Sequence, residues 1–147
     1  MALPKTAFDP EKIAQGIVNW AEVESPTHHT EGVNRMMDLA AQDMQELGGE
    51  VERLHGIDGF GDVVVSRFPS SEEPDQPGIL VMGHLDTVHE VGTLADKLPI
   101  RRDGDKLFGP GVLDMKGGNR LAIEAFTALR DADIRPHLRV TFMFTPD

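Results

Sequence analysis

The chain has 147 residues, 39% hydrophobic and 27% charged, the composition of one soluble globular domain long enough to bury a core. Its 25 acidic against 14 basic residues give a net charge of -11, which argues against a nucleic-acid binder, where Lys and Arg would cluster. There is no cysteine, so disulfides and thiolate metal sites are both excluded, and any metal must be held by imidazole and carboxylate.

The N-terminus has no basic region followed by an apolar core, and no stretch approaches the length of a bilayer span. The expected compartment is therefore the cytoplasm, with neither a membrane nor a nucleic acid as partner. Asp9 followed by Pro10 reads as a helix N-cap with proline at the first helical position. Ile13, Ile17, Trp20 and Ala21 continue at helical spacing to an end near Val23, before the Ser25-Pro26-Thr27 break. A second helix is predicted from about Gly32 to Leu47, with Val33, Met36, Met37, Ala40, Met44 and Leu47 on one face and Gly48-Gly49 as its stop. Trp20 and these methionines suit core positions and require no functional explanation.

Strands follow at "EVERLH" and "DVVVSRF", and after the solvated loop "PSSEEPDQPG" comes "GILVMG". The run Ile79-Leu80-Val81-Met82 reads as a strand buried on both faces, as in a parallel sheet covered by helices. Asp103-Gly104 predicts a hairpin between 100–102 and 106–108. A third helix is predicted over roughly 116–131, with Leu121, Ala122, Ala125, Phe126 and Leu129 as its apolar stripe, and a last strand over 138–144. The order implies an α/β fold with helices packed on a mixed, mostly parallel sheet.

His84 and Asp86 sit where the 79–82 strand leaves the sheet, which is where ligands bind in open α/β sheets. His-x-Asp triplets also arise by chance, and a polar strand end is the plain alternative. In chemical terms, a neutral imidazole binds a divalent cation while a neighbouring carboxylate fixes the ring. "GPGVLDMKGG" is either a flexible loop or a tight backbone wrap around one carboxylate, Asp114, at the entry to a helix. A dinucleotide-binding reading fails, because Asp114 would face the pyrophosphate. His28 and His29 are expected in solvent, and His55 and His137 in structural or surface roles. His89 lies near the strand end that carries His84, at the periphery of any pocket there.

"GHLDTV" at 83–88, followed by "GDKLFGPGVLDMKGG" at 104–118, resembles the M20 family of zinc metallopeptidases, most of all its glutamate carboxypeptidase branch. The similarity spans most of the chain. Carried over residue by residue, it implies that His84 ligates one zinc ion, that Asp86 is the active-site aspartate clamping the imidazole, and that Asp114 bridges two zinc ions. It also implies a cis peptide bond at Asp114-Met115. The implied fold is the catalytic domain of a zinc exopeptidase, of which residues 1–147 would be the N-terminal portion. In the family, the strand matching "RVTFMFTPD" is followed by two glutamates, the general base and a further metal ligand. The remaining ligands and the lid and dimerisation domain come later still. The implied activity of a parent protein is hydrolysis of an amide bond to release a C-terminal amino acid, such as glutamate, from a small peptide or N-acyl substrate. The 147 residues alone are expected to be inactive, and a parent protein to be a homodimer through the missing domain. An aminoacylase or deacetylase-like amidase is the alternative, and a non-catalytic fold remnant is another.

Overall fold

A computed structural model describes residues 3–70 and 77–146, so the centre of the predicted acidic loop lies outside the described residues. Helix α1 (Pro10–Ala21) starts as its sequence predicts. The Asp9 carboxylate accepts from the backbone N–H groups of Glu11 and Lys12 at 2.9 and 3.3 Å, and Pro10 has no N–H to satisfy. The helix ends two residues before Val23. Helix α2 (Thr30–Glu46) buries Val33, Met36, Met37, Ala40 and Met44 completely, and Leu47 beside them. Its N-cap is His29, whose Nδ1 accepts from the Gly32 N–H at 3.1 Å. That residue is therefore a helix cap rather than a solvated loop residue.

Strands β1 (Glu50–Leu54), β2 (Val63–Phe68), β3 (Ile79–His84) and β6 (Val140–Thr145) form one sheet in the order β1-β2-β6-β3. The sheet is mixed, as expected, but only β3 and β6 run parallel; β1-β2 and β2-β6 are antiparallel. The parallel share is smaller than the sequence reading held, because only β3 and β6 are joined by a helical crossover, which parallel neighbours require. Val64, Ser66 and Phe68 pair with Phe144, Phe142 and Val140, and this face meets Trp20 and the methionines of α2 in the core. Trp20 packs edge-on to Phe144 at 5.8 Å and donates its indole N–H to Asp43 at 2.8 Å.

The run Ile79–Met82 is a strand but is not buried on both faces. It lies at the sheet edge with β6 as its partner, and Leu80 and Met82 are 58% and 62% exposed. These two pair with Thr141 and Met143 on the face opposite the Phe142 and Phe144 core, while Val81 and Gly83 point inward. An apolar run alone cannot distinguish an edge strand from a central one.

Between β3 and the next helix lie α3 (Thr93–Asp96), missed in the sequence, and the hairpin β4 (Arg101–Asp103) and β5 (Lys106–Phe108). Asp103 pairs with Lys106, so the two-residue turn is Gly104-Asp105 and not Asp103-Gly104. Gly104 takes the left-handed φ of 56° that the tight turn requires. Helix α4 (Gly117–Asp131) has the expected extent but a rotated buried face. Leu121 and Ala125 are exposed, whereas Asn119, Ile123, Glu124, Thr127 and Ala128 face inward. The cause is an ion-pair network. Arg120 donates to Asp43 at 2.6 Å and to Glu124 at 2.9 Å, so polar residues occupy positions that periodicity reserves for apolar ones. No helix among the described residues is long and apolar enough to cross a membrane.

Candidate metal centre

The carboxyl end of β3 carries His84 into a cleft of about 410 Å³. Two residues on, Asp86 is 2% exposed, because the chain from 85 to 87 is held against the segment 25–27. Ser25 Oγ donates to the Leu85 carbonyl at 2.7 Å, the Thr87 N–H to the Ser25 carbonyl at 2.8 Å, and the Thr27 N–H to the Thr87 carbonyl at 3.2 Å. From the other side, the Asn119 amide of α4 donates to the His84 carbonyl at 2.8 Å, and its approach leaves no room for a Cβ at Gly83. The strand end is thus fixed by a loop and by a helix.

The His84 ring lies between two carboxylates. Its Nδ1 is 3.2 Å from Asp86 Oδ1 and 3.2 Å from the Asp86 carbonyl; its Nε2 is 3.0 Å from Asp114 Oδ1. The structure therefore brings together all three residues singled out in the sequence, across thirty positions of chain. Each of these three oxygens is an acceptor. A neutral imidazole that donates Nδ1–H to Asp86 turns the lone pair of Nε2 toward the Asp114 oxygen, so what joins the two is either a proton on Nε2, as in an imidazolium, or a bound cation. Two donors on one tetrahedral zinc, each bonded at about 2.0–2.1 Å, stand about 3.3 Å apart. The 3.0 Å between Nε2 and Oδ1 is a hydrogen-bond distance, from which a separation of about 0.3 Å would let the two atoms share a zinc ion. They would supply two positions of a four-coordinate site, and among the described residues no group of three or more His, Cys, Asp or Glu side chains could hold a metal.

The loop 109–116 delivers Asp114 differently from the tight wrap expected. Asp114 is exposed, and the Asp114-Met115 peptide bond is cis, as the resemblance implied. What the glycines enclose is Lys116. A Cβ at Gly111 would lie 2.9 Å from Thr87 Cγ2 and 3.1 Å from Lys116 Cδ, and one at Gly117 would lie 2.3 Å from the Val112 carbonyl. Lys116 is fully buried, and its ammonium donates to the carbonyls of Trp20 and Val23 at 3.1 and 2.7 Å, satisfying the C-terminal end of α1. Burial pushes its pKa down to about 8, against the opposing pull of the Asp86 and Glu24 carboxylates. Glu24 itself is held below the usual carboxylate range by the backbone N–H groups of Leu94 and Gly92, which it caps. Sequence reasoning missed Lys116, because a lysine beside a glycine pair carries no local sign of burial.

His89 lines the cleft together with an apolar wall of Leu98, Leu107, Phe108 and Val112. The other histidines stand apart from it. His28 lies against Phe60 with ring centroids 5.8 Å apart, His55 is exposed beside Asp62, and His137 is exposed.

Residues 80–147 match the model of peptidase family M20/M25/M40. Carboxypeptidase G2 of Pseudomonas sp. (strain RS-16) is 31% identical over 137 residues, which are 92% of this chain and 31% of that protein. The fold is shared with human carnosine dipeptidase 1 (TM-score 0.79, 22% identity, 93% of this chain and 32% of that one). It is shared also with the M20 family metallo-carboxypeptidase Sso-CP2 of Sulfolobus solfataricus (TM-score 0.75, 16% identity, 95% of this chain and 31% of that one). The chain spans about a third of the length of these relatives.

Proposed function

The chain belongs to peptidase family M20/M25/M40, and from this membership we propose that the intact protein is a zinc-dependent hydrolase of amide bonds. The substrate class is a small peptide or an N-acyl amino acid, and the bond cleaved is the one that releases a C-terminal amino acid, in keeping with the similarity to a carboxypeptidase of Pseudomonas. The observation that carries this reading is the approach of His84 Nε2 to Asp114 Oδ1, 3.0 Å apart in a cleft at the end of a sheet strand.

In this reading His84 and Asp114 would hold the metal and Asp86 would clamp the His84 ring. When bound, the zinc pair supplies the Lewis acidity that activates water and polarises the scissile carbonyl. Asp86 accepts the Nδ1 proton of His84, which keeps the Nε2 lone pair free and the ring in one orientation. The buried Lys116 and the N-terminus of α4 hold the loop that presents Asp114. Residues 1–147 form the N-terminal portion of the catalytic domain, and the general base and the other ligands are expected in the segment that follows Asp147. Taken alone, residues 1–147 would turn over no substrate, since lacking the base costs a factor of ~10²–10⁴ and two protein ligands hold zinc poorly. The cytoplasmic compartment and a homodimer formed through a further domain complete the proposal.

Zinc titration of the intact protein tests it. His84→Ala and Asp114→Ala should each lower the bound stoichiometry or affinity and abolish turnover; unchanged binding and activity in both would remove the assignment.

A further inference from the structure

We infer that Thr27, on the loop between α1 and α2, is a positioning residue for the metal centre. Its hydroxyl locks the plane of the Asp86 carboxylate, and through it the His84 ring. The inference rests on the metal-centre reading above and concerns a residue in the segment 3–79, outside the part of the chain that matches the family model.

Thr27 Oγ1 donates to Asp86 Oδ2 at 2.5 Å, while the other oxygen, Oδ1, faces His84 Nδ1 at 3.2 Å. The two oxygens of one buried carboxylate are thus engaged in different directions. This matters because the terminal torsion of an aspartate is broad and roughly two-fold. Rotation about that torsion carries Oδ1 away from His84 Nδ1 and lets the imidazole tilt away from Asp114. A second hydrogen bond on the opposite oxygen fixes the plane. Asp86 is 2% exposed, so solvent is poorly placed to provide that second bond in place of Thr27.

The backbone around Thr27 is built to aim the hydroxyl. Pro26 and Thr87 form a parallel bridge, the Thr27 N–H donates to the Thr87 carbonyl at 3.2 Å, and the Thr87 N–H donates to the Ser25 carbonyl at 2.8 Å. The loop therefore runs beside 85–87 as a short extra strand. The His29 N–H donates to the Pro26 carbonyl at 2.8 Å and closes the turn that leads into α2. Thr27 reaches Asp86 from a segment anchored on both sides, and the rigidity of the α1-α2 junction is transmitted to the metal ligand.

The test is zinc affinity in the intact protein, measured by competition with a chelator, together with thermal melts of the metal-free forms. Thr27→Val keeps the shape and removes the hydroxyl, and should weaken zinc binding by about tenfold, at the lower end of what loss of an outer partner of a metal ligand costs. Thr27→Ser should restore affinity to within about threefold of the parent, since it returns the donor at the same position. The metal-free melts of both should stay close to the parent's, and Thr27→Ala is read in the same way if the valine variant does not fold. Unchanged zinc affinity in Thr27→Val overturns the inference, and so does equal weakening in the valine and serine variants, because the hydroxyl would then not be the agent. His84→Ala separates the two levels. If it binds zinc like the parent, the metal-centre reading falls and this inference with it; if it loses zinc while Thr27→Val keeps it, only the role of Thr27 is overturned.

Discussion

Helix α2 and the loop 109–116 treat hydrophobicity in opposite ways. In α2 the apolar residues at helical spacing, Val33, Met36, Met37, Ala40 and Met44, are all fully buried. In the loop Leu113 is 93% exposed, while the lysine at 116 is fully buried together with Pro110. The first pattern is what a core asks of a helix. The second breaks local rules, and departures of that kind concentrate at functional sites, where the structure holds an unfavourable arrangement for the sake of chemistry. The loop carries Asp114, and the helix carries nothing of the site.

This contrast can be broken experimentally. Met37→Ala empties a volume in the core and should cost about 2–5 kcal/mol of stability by denaturant unfolding, while zinc affinity in the folded fraction stays unchanged. A fall in zinc affinity as large as the fall in stability would mean that core and site are not separate.

Lys116 sharpens the comparison through pH. Its pKa is lowered to about 8 in the folded state from an ordinary value near 10.5, so between those values the unfolded chain binds more protons than the folded one. Stability attributable to this group therefore rises with pH across that window. In metal-free protein, the stability difference between the parent and Lys116→Met should move in the parent's favour by about 3 kcal/mol from pH 8 to 10.5. A flat difference would show that the ammonium is not held at a cost.

Next in size is Asp86→Ala. Loss of the group that orients a ligating imidazole should lower metal affinity or turnover by about 10–100-fold, with part of the metal retained because His84 and Asp114 remain. Full activity in this variant would remove the clamp. Least of all, Leu113→Ser should change stability by no more than about 0.5 kcal/mol, since the side chain it replaces already faces solvent. A larger loss would place Leu113 in a contact made only in the intact protein.

The same division explains what could be read in advance. The start of α1 is written in Asp9-Pro10, and the buried face of α2 in six apolar residues at one period, because both depend on neighbours along the chain. The meeting of His84, Asp86 and Asp114 in one cleft was legible because their motifs single them out along the chain. The rotated face of α4 was not, since Arg120 becomes an inward residue only when Asp43, 77 positions away, is there to receive it. Lys116 and Thr27 were missed for the same reason: their partners are the carbonyls ending α1 and the Asp86 carboxylate 59 positions on. The edge position of β3 depends on which strand lies beside it, and the apolar run 79–82 carries no information about that. The slip of the 103–106 turn by one residue is the ordinary ambiguity of two possible registers around a single glycine.

The central claim is that His84 Nε2 and Asp114 Oδ1 share one cation. Anomalous diffraction at the zinc edge, from crystals of the intact protein grown with zinc, measures this directly. The account predicts a peak about 2.0–2.2 Å from both atoms. A zinc peak bound to neither, with the two side chains turned to separate partners, would contradict it.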